Sequence, residues 1–184
     1  MIEIYDGIAP RISQKAFVHP MAIIRGDVEI DDYSIVWPMA TITGDICTIK
    51  MGRYVTIEDH ASIHGGTFED WQRGQRGVLE IGDRVTIGHG AIVHGRKIGD
   101  RALIGMGATV LQDVEIENGC IVAAGAVVSV GTKIPAGSVV AGIPAQVKGQ
   151  IRKEQAYWVG EGLEEDDSYY RECIRKLKEA RVVE

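Results

Sequence analysis

Phenylalanine is nearly missing from this chain, with 2 among 184 residues and an aromatic content of only 6%. A core without large rings has to be filled by aliphatic side chains used many times over. Cysteine is scarce too: Cys47, Cys120 and Cys173 are odd in number and lack CxxC spacing, which argues against a disulfide framework and suits reduced thiols in packing positions. Long apolar runs are absent. No window approaches about 18 apolar residues, and the opening MIEIYDG has no basic stretch followed by an apolar one. Neither a membrane span nor a signal peptide is expected, and a cytoplasmic location is. Positive charge is in deficit, 20 Lys and Arg against 26 Asp and Glu, for a net charge of −6 and a pI near 5.4. With no basic run beyond the C-terminal RKLKEAR, nucleic acid and anionic membrane are poor partners. Small molecules and further copies of the chain are better ones.

What is abundant is glycine, 23 residues, and a period. Aliphatic residues recur every six positions at Ile12, Val18, Ile24, Ile30, Val36 and Ile42, resume at Met51, Ile57 and Ile63, then at Ile81, Ile87 and Val93, and run unbroken from Ile98 to Val140. Four residues after most of them stands a small or β-branched residue, such as Ala22, Ala40, Val85, Ala102 or Ala126. A conventional sheet would alternate with period two. A six-residue period instead predicts a parallel β-helix, in which each hexad is one short strand and turn and three hexads complete a triangular coil. About twenty hexads make six to seven coils.

The register breaks in three places. Three extra residues between Ile42 and Met51 predict a small corner bulge, and one residue is missing between Val93 and Ile98. Between Ile63 and Ile81 about a dozen polar residues must loop out, an excursion over about 65–80. The β-helix domain spans 1–148. The remainder, 149–184, changes character: IRKEQAYW and DDSYYRECIRKLKEARV carry apolar residues at three- and four-residue spacing and predict a helical segment packed on one face of the prism.

Four of the five histidines fall between Val55 and Gly95. With the faces numbered in hexad order and the excursion extruded without changing the coil count, Arg25, Thr43, His64 and His94 form one column on the first face. Coils spaced about 4.8 Å apart would bring the imidazoles of His64 and His94 within reach of one ion. His89 lies on a different face, stacked over Asp59, and cannot easily meet them within one subunit. A three-fold homotrimer, setting the first face of one prism against the third face of the next, would supply it. Three neutral imidazoles with open positions are the ligand set of a catalytic zinc site. His60 is a weaker candidate, and His19 reads as a turn residue.

The motifs IEDHASIH and VTIGHGAIVHG, within a match running from AFVHP at Ala16 through VAGIPAQVKG, resemble the γ-class carbonic anhydrases and their shorter relatives, among them ferripyochelin-binding-like and phenylacetate-pathway-like proteins. The resemblance implies a left-handed, trimeric β-helix. It implies His64 and His94 from one subunit and His89 from its neighbour around Zn²⁺, or Fe²⁺ or Co²⁺, and reversible hydration of carbon dioxide to bicarbonate by a metal-bound hydroxide. Asp45 matches the family's Arg-Gly-Asp, but the arginine is replaced by Thr43, and Arg25-Gly26-Asp27 lies one coil too early. Glu58 stands where the family has a glutamine that helps hold the hydroxide, followed by the expected Asp59. Tyr170 matches a tyrosine that some short members bring near the metal, and Glu69 and Asp70 lie where an acidic loop can shuttle protons. Hexapeptide β-helices also house acyltransferases using acyl-CoA, for which one histidine as general base suffices. A metal-binding protein with little catalysis is the third reading.

Overall fold

The computed structural model describes residues 1–159 and 167–180, and shows a parallel β-solenoid. Its rungs are two residues long in most places, because each inward aliphatic side chain is followed at once by a corner. One 8-stranded sheet forms the third face, with seven parallel rungs from Phe17–Val18 up to Ser138–Gly142. A 12-stranded sheet wraps the first and second faces together. The expected columns are confirmed by pairing: Ile24 with Ile42, Ile42 with Ile63 and Ile63 with Val93 on the first face, Val36 with Ile57 and Ile57 with Ile87 on the third. The excursion therefore leaves the coil count unchanged, since Met51 pairs with Ile81 across it.

Inside the prism the hexad aliphatics stack on one another. Ile24, Ile42, Ile57, Ile87, Ile104 and Ile116 are fully inaccessible. Each such side chain withdrawn from water contributes roughly 1.5–3 kcal/mol, which is how a chain with two phenylalanines fills a core. Coils pack so closely that some positions admit no side chain at all. A Cβ on Gly105 would lie 2.5 Å from the backbone nitrogen of Ala124 in the next coil.

The irregular positions follow the expected breaks. Between Ile42 and Met51 the three extra residues form a bulge, where pairing shifts from Gly26 with Gly44 to Val28 with Ile49, inside a strand, Thr41–Met51, that continues around the corner from the first face to the second. Above it the chain departs after the Ser62–His64 strand and returns as Gly77–Ile81, so the excursion occupies 65–76, about the dozen residues that the spacing suggested, and ends before 80. It contains one short helix, Phe68–Gln72.

Beyond the last parallel rung, Ala145–Gln150 turns back and pairs antiparallel with Ser138–Gly142. A 3₁₀ turn at Ala156–Val159 and an α-helix at Ser168–Glu179 follow. The helix lies along the prism over a column of tyrosines: Tyr54 stacks on Tyr33 at 5.3 Å, Tyr170 meets Tyr54 edge-on at 5.1 Å, and the Arg171 guanidinium lies 4.7 Å over Tyr33. The rest of the C-terminal segment, 160–166 and 181–184, lies outside the described residues. Among those described, no helix is long and apolar enough to cross a membrane.

Candidate metal centre

Strand register builds the first part of the site. Thr43 pairs with His64, and Ile63 with Val93, so His94 follows directly above His64. The two rings stack with centroids 4.8 Å apart, close to the rung spacing, and His64 Nδ1 faces His94 Nε2 at 2.7 Å. The other nitrogen of His64, Nε2, donates to Asp45 Oδ1 at 2.8 Å. With both rings neutral this leaves one arrangement: His64 Nδ1 is the acceptor, and a single proton on His94 Nε2 lies between the rings. A metal ion replaces such a proton. A carboxylate on the far nitrogen of an imidazole is also the usual support of a metal ligand, because it fixes the tautomer and the ring plane.

Electrostatics favour neutral rings at His94. Burial, and then the neighbouring His64, push its pKa below the ordinary histidine value, and neutral imidazole is the form that binds metals. Its Nδ1 is buried and has no hydrogen-bond partner among the described residues. For Asp45 burial acts upward, but the Ile46 N–H and His64 outweigh it, so the carboxylate is held below its usual range.

His89 stands elsewhere. Thr86 and Ile87 pair with Thr56 and Ile57 on the third face, which carries His89 over Asp59. Its Nδ1 lies 3.2 Å from Asp59 Oδ2 and its Nε2 3.3 Å from Glu58 Oε2, while its backbone N–H donates to Glu58 Oε2 at 3.0 Å. The side chain is 54% exposed. Within one chain the three histidines do not converge, and among the described residues no group of three or more His, Cys, Asp or Glu could hold a metal. Glu58 and Asp59 both grip His89, so these two acids belong to its half of the site. So does Tyr170, which shares with Glu58 and His89 a largely apolar groove of about 830 Å³ on the third face, and whose phenol is pushed up by burial.

The remaining candidates are bystanders in one chain. His60 occupies a corner with φ of 61°, its N–H donating to Pro38 O. His19 Nδ1 accepts the Met21 N–H at 3.2 Å, a turn contact. Glu69 is 75% exposed and pairs with Arg73, whereas Asp70 accepts from Thr67 N and Oγ1 and so closes the start of the excursion. Arg25 is turned onto Glu3 at 3.0 Å and over the Tyr5 ring, away from the histidines.

One residue escaped the sequence reading. Arg76, at the end of the excursion, donates from Nη2 to Gly44 O at 2.9 Å and Asp45 O at 3.0 Å, and its Nε lies 3.4 Å from Asp27 Oδ2. A guanidinium thus stands beside Asp45 although the strand itself carries Thr43. No periodicity extends through the excursion, so no sequence signal could have placed it there.

Comparison with known proteins agrees with the hexapeptide fold. The family described as bacterial transferase hexapeptide (six repeats) matches residues 97–129, and the hexapeptide repeat of succinyl-transferase matches 78–112. A Methanocaldococcus jannaschii protein named "Probable carbonic anhydrase" is 40% identical over 144 residues, 78% of this chain and 86% of that protein. The mitochondrial gamma carbonic anhydrase 1 of Arabidopsis thaliana is 36% identical over 88% of this chain, which spans 58% of that protein's length. Among solved structures, a hexapeptide transferase family protein from Anaplasma phagocytophilum superposes with a TM-score of 0.82 at 28% identity, covering 95% of this chain and 96% of that one. The chain belongs to the γ-carbonic-anhydrase-like hexapeptide-repeat family.

Proposed function

We propose that three copies of the chain assemble about a three-fold axis and that each interface holds one metal ion, bound by His64 and His94 of one subunit and by His89 of the next. The ion is zinc, with iron or cobalt as alternatives, and the reaction is reversible hydration of carbon dioxide to bicarbonate. The observation that carries this reading is the pair His64–His94, with ring nitrogens 2.7 Å apart and Asp45 behind one of them. When bound, zinc supplies Lewis acidity and brings the pKa of a water molecule to about 7. Asp45 keeps the Nδ1 lone pair of His64 free for coordination, and burial keeps His94 neutral. Glu58 and Asp59 orient His89 from two sides. A carboxylate at Glu58 can accept a hydrogen bond from a water in the site but cannot donate one when ionised. Its negative charge opposes loss of that water's proton, so turnover slower than in relatives carrying an amide there is expected. Tyr170 shares the groove on the His89 side and lines the approach.

The likeness to a hexapeptide transferase family protein raises acyl transfer as the second reading. Acyl transfer needs one general base, and two stacked histidines with a buttressing carboxylate are more than that chemistry requires. The test is elemental analysis of protein purified without chelator or affinity metal, with the His89→Ala variant and a carbon dioxide hydration assay. About one metal ion per subunit, lost in the variant while the trimer mass persists, supports the interfacial site, and hydration by the loaded protein supports the reaction. Wild-type protein that stays empty after zinc is added overturns both and favours acyl transfer.

A further inference from the structure

The excursion interrupts a ladder at the point where the site needs it most. Below the gap, the Thr41–Met51 strand pairs with the Ser62–His64 strand only as far as Thr43 with His64. Above the gap, pairing resumes at Cys47 with Gly77. The peptide between them, Gly44–Asp45–Ile46, lies where the next coil's chain has left to form the excursion, so backbone partners that a regular coil would offer are missing. Arg76, the last residue before the chain returns, closes this gap by donating to Gly44 O and Asp45 O together.

The same peptide carries the carboxylate that holds His64. Gly44 has no room for a side chain, since a Cβ there would meet Asp27 O at 2.5 Å, and Asp45 Oδ1 accepts both the Ile46 N–H and His64 Nε2. The guanidinium is itself anchored from below by Asp27, which accepts from Thr48 Oγ1 at 2.6 Å and pairs with Arg11 at 3.2 Å. A continuous chain of contacts therefore runs from Asp27 through Arg76 and the Gly44–Asp45 peptide to His64 and His94.

We propose that Arg76 is a positioning residue of the metal centre, fixing the Asp45 peptide and, through the Asp45 carboxylate, the tautomer and ring plane of His64. This rests on the reading of His64 as a metal ligand. Two consecutive carbonyls and a carboxylate suit the planar fork of arginine, and the single ammonium of a lysine cannot span them in the same way.

The test compares Arg76→Ala, Arg76→Lys, Asp45→Ala and the Arg76→Ala/Asp45→Ala double variant. Zinc affinity is measured by competition with a chelator, alongside trimer mass and melting temperature. In metal-free protein, ¹⁵N shifts of the histidine rings report the tautomer of His64. Arg76→Ala is expected to weaken zinc binding about 10–100-fold, the usual cost of losing support behind a ligand, and to mix the His64 tautomers. Arg76→Lys is expected to fall between. The double variant is expected to bind zinc no worse than Asp45→Ala alone, because both changes act on one contact. Unchanged zinc affinity and tautomer in a folded Arg76→Ala, or additive losses in the double variant, would overturn the proposal. Wild-type protein that binds no zinc would sink the functional reading instead, and the tautomer measurement would still decide the role of Arg76.

Discussion

The solenoid has two regions that use the same hexad differently. From Lys97 to Val140 nearly every rung is two residues long, and the corners at Gly107, Gly119, Gly125, Gly131 and Gly137 take left-handed backbone as glycine, at little steric cost, with Arg101 and Asp113 the residues that keep side chains there. From Thr41 to His94 lie an eleven-residue strand, the excursion and corners that keep side chains: Tyr54, His60 and Arg84 have φ near 60°. Left-handed backbone costs a non-glycine residue about 1 kcal/mol or more, so a side chain kept there needs something to touch. Tyr54 touches the C-terminal helix through Tyr170, and Arg84 covers Tyr54. One corner shows the change along a single column, with Met39 and His60 below and Gly90, Gly107 and Gly125 above them. The regular coils are a support. The irregular ones carry the candidate metal site.

This contrast can be broken at its support. Ile104→Ala in the regular stack removes a fully buried side chain and is expected to lower unfolding free energy by about 2–5 kcal/mol in denaturant titration, with zinc stoichiometry unchanged. The reverse pattern is expected at Asp45→Ala: melting temperature close to wild type, but zinc affinity reduced about 10–100-fold by chelator competition. If Ile104→Ala emptied the site at full stability, or Asp45→Ala unfolded the chain, the division between support and site would be wrong. A smaller effect sharpens it. Cys47, a buried residue of the irregular strand, has its thiol pushed up to about 11 by burial. A raised pKa means the unfolded chain loses this proton first, so its contribution to stability is complete below about pH 9 and declines as pH rises toward 11. Native Cys47 is expected to resist alkylation at pH 8 and to label fully in denaturant, read by mass spectrometry.

Much of this was legible in the order of residues. The hexad period placed every aliphatic column, and the column rule put His94 over His64 and His89 over Asp59, because in a solenoid sequence spacing translates directly into stacking. The same rule had nothing to say once the period stopped. Arg76 reaches Asp45 from a segment with no register, whereas Arg25, already one coil too early by register, is held by Glu3 and Tyr5. The bulge between Ile42 and Met51 was legible as three extra residues, whereas the continuity of one strand, Thr41–Met51, through that bulge was not. Glu58 was expected to meet the reacting water and Asp59 to lie under His89, and within one chain both contact His89. Two adjacent acids carry no spacing that tells a proton acceptor from a brace.

A stack of parallel rungs has no natural length, because each new rung leaves an edge like the one it covered. Here the chain reverses after Gly142, and Ala145–Gln150 lies on the last rung of the third face with opposite polarity. A second molecule arriving end-on meets hydrogen-bonding groups in the wrong direction to prolong the ladder, and Lys148 adds a charge there. The parallel repeat of the third face therefore ends within the molecule itself.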